Sequence, residues 1–400
     1  MTRALDLLER IDCPQQAPGL MAAMCEVFGE QPASITLERT HFPGNKPVQQ
    51  VLCAAFPDGR HETVFAEECP IAPGAHVESI RASLGKSRNG QRPGLHATSV
   101  VASQAMGLVL RKPGLDERLP GLRLLHDPVF ARAALRNLFG TEVGPVVVDL
   151  VAHRLGKRAV VRIRGAGLDV FVRLRAIKSE DGDMRLKRHH ALWHSLSRQT
   201  DLRIPEPLGA LPDIGAAVFG VLPGDPADLR ARDVGSVARA VSALQGLELA
   251  GLPVHSGTDE ARLLSLWLER CRIGQPEIAR RIAPDLIAVM AALQQASATP
   301  RPCHRDLHEK QILVSDGVAG LLDFDTLCLS DPALDVGNLL AHLVLAGQDE
   351  APLRSAFDLP GIGLWRRAAL FRLAMIYAFT STPEAVLDRL IEEAQADAED

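Results

Sequence analysis

A change of periodicity along the chain constrains its fold more than any other feature. Three short β-branched runs, at 146–151, 159–163 and 169–175, are separated by turns that carry Gly156 and Gly165/Gly167. That spacing predicts an antiparallel three-stranded meander. Residues 183–198 follow a helical pattern. A run at 216–222 reads as a buried strand, stopped by Pro223-Gly224. From about residue 226 apolar residues recur every three or four positions. They predict helices over 233–249, 259–273, 284–297, 333–346 and 362–379. The expected architecture is α+β, a small antiparallel-sheet lobe followed by a mostly helical lobe.

The first 125 residues are richer in Pro and Gly and more weakly periodic. They predict a helix at 4–12, strands near 33–40, 48–56 and 62–67, and a loop-rich stretch to Pro120. Asp127-Pro128 then opens a helix to Leu138, with Asp as cap and Pro in the first turn. The run starting His41-Phe42-Pro43-Gly44 faintly echoes the run starting His153-Arg154-Leu155-Gly156. Either a decayed duplication or chance accounts for it, and it carries no functional weight. The expected divisions are an extra α+β subdomain at 1–125, a small lobe at 126–222 and a helical lobe at 223–400. The acidic stretch 392–400 is expected to fray.

Composition excludes several classes. A chain that is 46% hydrophobic and 23% charged is globular rather than disordered. Its 44 Lys and Arg against 49 Asp and Glu give a net charge of −5, which argues against duplex binding. One Tyr, three Trp and twelve Phe are few for stacking single strands. No apolar run approaches the roughly 20 residues needed to span a bilayer. The N-terminus lacks a signal-peptide core. The seven cysteines are widely spaced without C-x-x-C, which argues against a disulfide framework or a zinc cage. A cytoplasmic protein that binds neither nucleic acid nor membrane is expected. His189 and His190, adjacent on a helix, point apart and read as solvated or capping side chains. Gly85-Lys86-Ser87 is not a phosphate loop, because Ile80 stands where the first Gly is required.

The informative segment is His304-Arg305-Asp306-Leu307-His308-Glu309-Lys310-Gln311, followed by Asp323-Phe324-Asp325. It resembles the kinase catalytic loop H-R-D-L-x-x-x-N and the metal-binding D-F-G. The likeness is greatest to the aminoglycoside phosphotransferase and choline kinase group, whose second motif often reads D-F-D or D-F-E. Maltokinases are similar too, since they place Gln where this chain has Gln311. The resemblance covers roughly 145–380 and implies a protein kinase-like bilobal fold.

The resemblance also implies roles. Phosphoryl transfer needs charge neutralisation, in-line positioning and a proton acceptor at the attacking hydroxyl. Asp306 would be that base. Gln311 and Asp323 would hold Mg²⁺, with Asp325 as a further metal or substrate ligand or a turn cap. His304 would support the loop or act directly, and His308 would touch substrate or hold the loop. Arg173 stands where a strand Lys is expected to reach the ATP phosphates. Lys157 and Arg158 would add charge in the phosphate-covering turn, unless that turn is a plain basic hairpin. Gly220, Val221 and Leu222 would form the hinge whose backbone meets the adenine. Asp335, one turn into the helix after Asp331-Pro332, reads as structural.

The expected function is ATP-dependent transfer to a small-molecule hydroxyl. Acceptors in the resembling families include aminoglycosides, macrolides, amino alcohols and sugars. Gln311 leans toward the sugar kinases, and Asp225, Asp228, Asp259 and Glu260 are acidic candidates for a cationic acceptor. The protein-kinase A-P-E motif is absent after Asp325, against a protein substrate. Two other readings are a nucleotide-binding pseudokinase, drawn from Arg173 and the poor glycine loop, and a metal-dependent hydrolase using His304, Asp306, His308 and Asp323.

Overall fold

The computed structural model describes residues 18–41, 47–69, 71–85, 97–176, 179–196 and 201–396. The expected helix at 4–12 and the residues 86–87 of the false phosphate loop lie outside these. The described residues fall into two compact units, Met1–Gly182 with Pro207–Val221, and Asp183–Glu206 with Leu222–Asp400.

The first unit carries two five-stranded antiparallel sheets. The first is built from α1 (Pro18–Phe28), β1 (Ser34–His41), β2 (Gln49–Ala55), β3 (His61–Glu68), α2 (Pro73–Gly85), β4 (Val100–Ser103) and β5 (Leu108–Arg111). Its strand order is β1-β2-β3-β5-β4. Helix α1 packs Leu20, Met24 and Val27 against Ile35, Leu52, Val64 and Leu110. Helix α2 packs Val77, Ile80 and Leu84 against Val100 and Val109. The stretch expected to be loop-rich thus holds α2, β4 and β5. The two strands have four residues each, and β5 is buried on both faces, so neither alternates visibly.

The second sheet follows α3 (Pro120–Leu125) and α4 (Pro128–Phe139). It comprises β6 (Val146–Arg154), β7 (Arg158–Gly165), β8 (Leu168–Arg175) and then, after α5 (Ser179–Leu196) and β9 (Leu202–Arg203), β10 (Pro207–Leu211) and β11 (Ala216–Gly220). Its order is β6-β7-β8-β11-β10, the order of the first sheet. Asp127 caps α4 by accepting from the Val129 N–H, as the sequence expects, and Gly140 ends it in the left-handed region. One face of the sheet buries Val161, Ile163, Val172 and Leu174 under α3 and α4. The strand expected at 216–222 ends at Gly220, three residues before Pro223.

The second unit comprises β12 (Asp225–Pro226), α6 (Val234–Gln245), α7 (Gly257–Gly274), α8 (Pro276–Gln295), β13 (Arg301–Cys303), β14 (Ile312–Ser315), β15 (Val318–Leu321), β16 (Cys328–Ser330), α9 (Ala333–Leu345), α10 (Ala351–Arg354), α11 (Ile362–Tyr377) and α12 (Glu384–Ala396). Strand β9 and helix α5 from Asp183 belong with it. The helix expected at 284–297 begins at Pro276, which takes the first-turn position; Pro284 lies inside the helix. Of the acidic stretch 392–400, residues 392–396 are the end of α12, which buries Leu390, Ile391 and Ala394, and 397–400 lie outside the described residues. Among the described residues no helix is long and apolar enough to cross a membrane, and Cys25, Cys53, Cys69, Cys271, Cys303 and Cys328 are free thiols.

Candidate active site

Two short ladders frame both sequence motifs. Strand β13 pairs antiparallel with β16, and β14 with β15. The chain runs β13, loop, β14, β15, loop, β16, so each motif occupies a loop strung between the same two ladders. The loops are also joined directly. His304 is fully buried. Its Nε2 donates to the Leu322 carbonyl at 2.7 Å, which fixes the tautomer. Its ring packs on Phe324 at 4.7 Å between centroids. Thr326 Oγ1 donates to the His304 carbonyl at 2.8 Å, and the Leu322 N–H to the Gln311 carbonyl at 3.0 Å. The segments bearing Asp306 and Asp323 are therefore held side by side.

Both loops carry backbone that L-residues avoid. Arg305 has φ 71° and Asp323 φ 65°. A non-Gly residue in the left-handed region costs roughly 1–2 kcal/mol, and such strain persists where the surroundings impose it. For Arg305 the imposing group is Asp335, buried at the start of α9. Its carboxylate accepts the His304 N–H at 2.7 Å and the Arg305 N–H at 2.6 Å. Burial pushes the Asp335 carboxyl up, against the lowering effect of His304 and these hydrogen bonds. Asn338, one turn on, donates to the Leu307 carbonyl at 2.8 Å. Its own amide oxygen accepts from Arg372 of α11, which also pairs with Glu260. Glu260 accepts from His255 at 2.8 Å. Between Asp335 and Asn338, Gly337 lets α11 come close: a Cβ there would meet the Arg366 backbone N at 2.6 Å.

This buried chain from His255 to Leu307 was not legible in the sequence, since its members are far apart and ordinary in type. It also corrects one expectation. Glu260 is 1% exposed and paired on both sides, so it offers nothing to an acceptor. Asp259 is engaged in a capping box with Ser256, whereas Asp225 is exposed and Asp228 half-buried.

Asp306 is exposed at the tip of its loop, next to fully buried Leu307. Gln311 is buried, and its Oε1 has no hydrogen-bond partner. Buried amide oxygens are normally satisfied, so this one marks a place for a cation or donor. An amide oxygen with the Asp323 and Asp325 carboxylates is a hard-oxygen set of the kind Mg²⁺ takes; the residues fit the ion. His308 stacks on His342 rather than on His304. His189 Nε2 donates to the Pro205 carbonyl at 2.7 Å, a structural role.

In the first unit, Arg173 lies on β8 beside the Phe219 ring, 5.7 Å from its centroid. Its face of the sheet, with Phe171 and Arg162, is the one α4 does not cover, and it stays half-buried. The turn between β6 and β7 places Gly156 at φ 67°, followed by Lys157 and Arg158. Asp116 anchors that turn. It accepts from His153 Nε2 at 3.0 Å and from the Gly156 N–H at 2.6 Å, while the Gly114 N–H donates to His153 Nδ1 at 3.1 Å. Burial pushes Asp116 up, but the hydrogen bonds outweigh it and its carboxyl lies below the usual range. Gly220 and Val221 end the first unit and Leu222 begins the second. The side chains of Glu180 and Asp183, candidate partners of Arg173, lie outside the described residues.

The profile of the phosphotransferase enzyme family matches residues 149–371. The structure of the GDP and kanamycin complex of APH(2'')-IIia aligns with 68% of this chain and 99% of its own, at 16% identity and a TM-score of 0.50. A choline/ethanolamine kinase family protein from Mesorhizobium loti aligns over 70% of this chain and 94% of its own, at 15% identity and a TM-score of 0.49. A macrolide 2'-phosphotransferase from Brachybacterium faecium aligns over 65% and 96%, at 18% identity and a TM-score of 0.45. No curated protein matches the chain. The first of these likenesses shows a shared fold, the protein kinase-like one.

Proposed function

The chain belongs to the phosphotransferase enzyme family and is a small-molecule kinase, and from that premise we propose that it moves the γ-phosphoryl group of ATP to a hydroxyl of an aminoglycoside, sugar or amino alcohol. Asp306 is the base in this reading. Its carboxylate is exposed, and its loop is fixed from behind by Asp335, Asn338 and His304. It accepts the proton of the attacking hydroxyl and orients its oxygen, an effect worth 10²–10⁴-fold in comparable cases. His304 is a positioning residue, because its ring is buried between the loops. Gln311 and Asp323 would hold Mg²⁺, with Asp325 as a further ligand, and the bound ion would neutralise the charge of the transferring phosphate. Arg173, Lys157 and Arg158 would supply positive charge to the nucleotide phosphates, and the backbone of Gly220, Val221 and Leu222 would meet the base.

The observation that carries the proposal is the clasp of His304 on Leu322, which sets the Asp306 loop beside the Asp323 loop. The test is a phosphate-transfer screen against aminoglycosides, sugars and amino alcohols, read by product mass. Wild type should yield one singly phosphorylated class, and Asp306→Asn should lose about 10²-fold or more in kcat with nucleotide binding retained. Wild type and Asp306→Asn equally inert, both still binding ATP, would instead make the chain a nucleotide-binding regulator.

A further inference from the structure

A second set of donor atoms converges beside the catalytic loop. His308 and Glu309 follow Leu307 directly, and His342 lies in the last turn of α9. One ligand atom from each lies within 4.8 Å of the other two. Glu309 Oε2 stands 4.0 Å from His308 Nδ1 and 4.0 Å from His342 Nδ1. These separations are too long for hydrogen bonds. The two imidazoles stack, with centroids 4.9 Å apart and planes at 28°.

His308 Nδ1 and Glu309 Oε2 are sealed from solvent, and neither has a hydrogen-bond partner. An unpartnered carboxylate oxygen in such a place is costly. Lys310 does not relieve it, since its Nζ approaches the other oxygen, Oε1, at 4.0 Å and is mostly exposed. Burial holds both imidazoles below their ordinary range, His342 at about 3. Two imidazole nitrogens and one carboxylate oxygen thus converge without bonding one another.

We propose that His308, Glu309 and His342 bind a divalent transition-metal ion, zinc by preference, through Nδ1, Oε2 and Nδ1, with a fourth position open to water. Two imidazoles, one carboxylate and an open position form a set that zinc takes. Magnesium prefers oxygen ligands, so this set is chemically distinct from Gln311 and Asp323. Bonds of about 2.0–2.1 Å need the three side chains to close slightly around the ion. Bound there, the ion ties the catalytic loop to α9. The inference stands on the donor geometry and survives if the kinase reading fails.

The test uses the full chain, stripped with chelator and titrated with Zn²⁺ by calorimetry under excess Mg²⁺. One ion per chain should bind with micromolar or tighter affinity and raise the melting temperature. His342→Ala should weaken binding by at least about 100-fold, beyond what losing an outer-shell partner costs. Glu309→Gln, which keeps the size of the side chain, should weaken it by about tenfold or more in a chain whose circular dichroism is unchanged. Cobalt substitution should give d–d bands without the thiolate charge-transfer band that cysteine ligation produces. Gln311→Ala and Asp323→Ala should bind zinc as wild type does. The proposal is overturned by the absence of saturable one-to-one binding, by binding indifferent to both His342→Ala and Glu309→Gln, by a sulfur-ligated cobalt spectrum, or by loss of zinc in the Gln311 and Asp323 variants.

Discussion

The two sheets of the first unit share one plan and differ in what covers them. Each consists of a three-stranded meander, then a helix, then two strands that add in reversed order. Each is preceded by a helix, and each first strand is bulged, between Leu37 and Arg39 in β1 and between Leu150 and Ala152 in β6. Aligned on the bulges, Leu52 matches Val161, Val64 matches Val172, and Phe65 takes the place of Arg173. Phe65 is buried, with its ring edge-on to His153 at 5.0 Å. Helix α1 packs on one side of the first sheet and α2 on the other, over β4 and β5, while Cys53 and Thr63 stay half-buried like their counterparts Arg162 and Phe171; the two sheets part at Phe65, which is buried, and Arg173, which is half-buried. One strand plan therefore carries different side chains at matched positions, Phe65 in the first sheet and Arg173 in the second. The sequence similarity that aligns His41 with His153 is one residue out of the bulge register, so the shared plan rests on strand order rather than on that motif.

The comparison can be broken most directly through the cores. Leu52→Ala in the first sheet and Ile163→Ala in the second should each cost about 2–5 kcal/mol in urea unfolding. Only Ile163→Ala should also weaken nucleotide binding; equal weakening by Leu52→Ala would show that the first sheet takes part in the site. Asp116→Ala removes the acceptor shared by His153 and Gly156. It should cost about 1–3 kcal/mol of stability and raise the nucleotide KM several-fold, with kcat little changed in steady-state assays. Arg173→Ala should raise the nucleotide KM roughly tenfold, near 1.4 kcal/mol, with no loss of melting temperature; an unchanged KM would take Arg173 out of the site.

The smallest effect concerns pH. Burial, helped by Arg154, Arg39 and Lys157, holds His41 at about 4 against an ordinary 6.5. The unfolded chain therefore binds this proton more readily between pH 6.5 and 4, and stability falls as pH drops through that window. His41→Asn should flatten that part of the unfolding profile.

The candidate site was legible in the sequence where residue type and chain order coincide. Asp306, Gln311 and Asp323 stand at motif spacing, and the β6–β8 meander showed in its alternation. Helix α2 and strands β4 and β5 were hidden, because four-residue strands buried on both faces carry no period. The Asp335–Asn338–Arg372–Glu260–His255 chain was hidden for another reason. Its residues are brought together only by the packing of α7, α9 and α11, and no spacing in the chain encodes that packing.

By itself the sequence determined the β6–β8 meander, most of the later helices and the two motif loops with the acids within them, because short-range periodicity and local residue types decide these. Tertiary structure alone decided that Phe65 is buried and Arg173 half-buried, which acids are already committed to buried partners, and that His342 meets His308 and Glu309. Each of these depends on contacts between residues distant in the chain, where burial and pairing, rather than residue identity, set what a side chain can do.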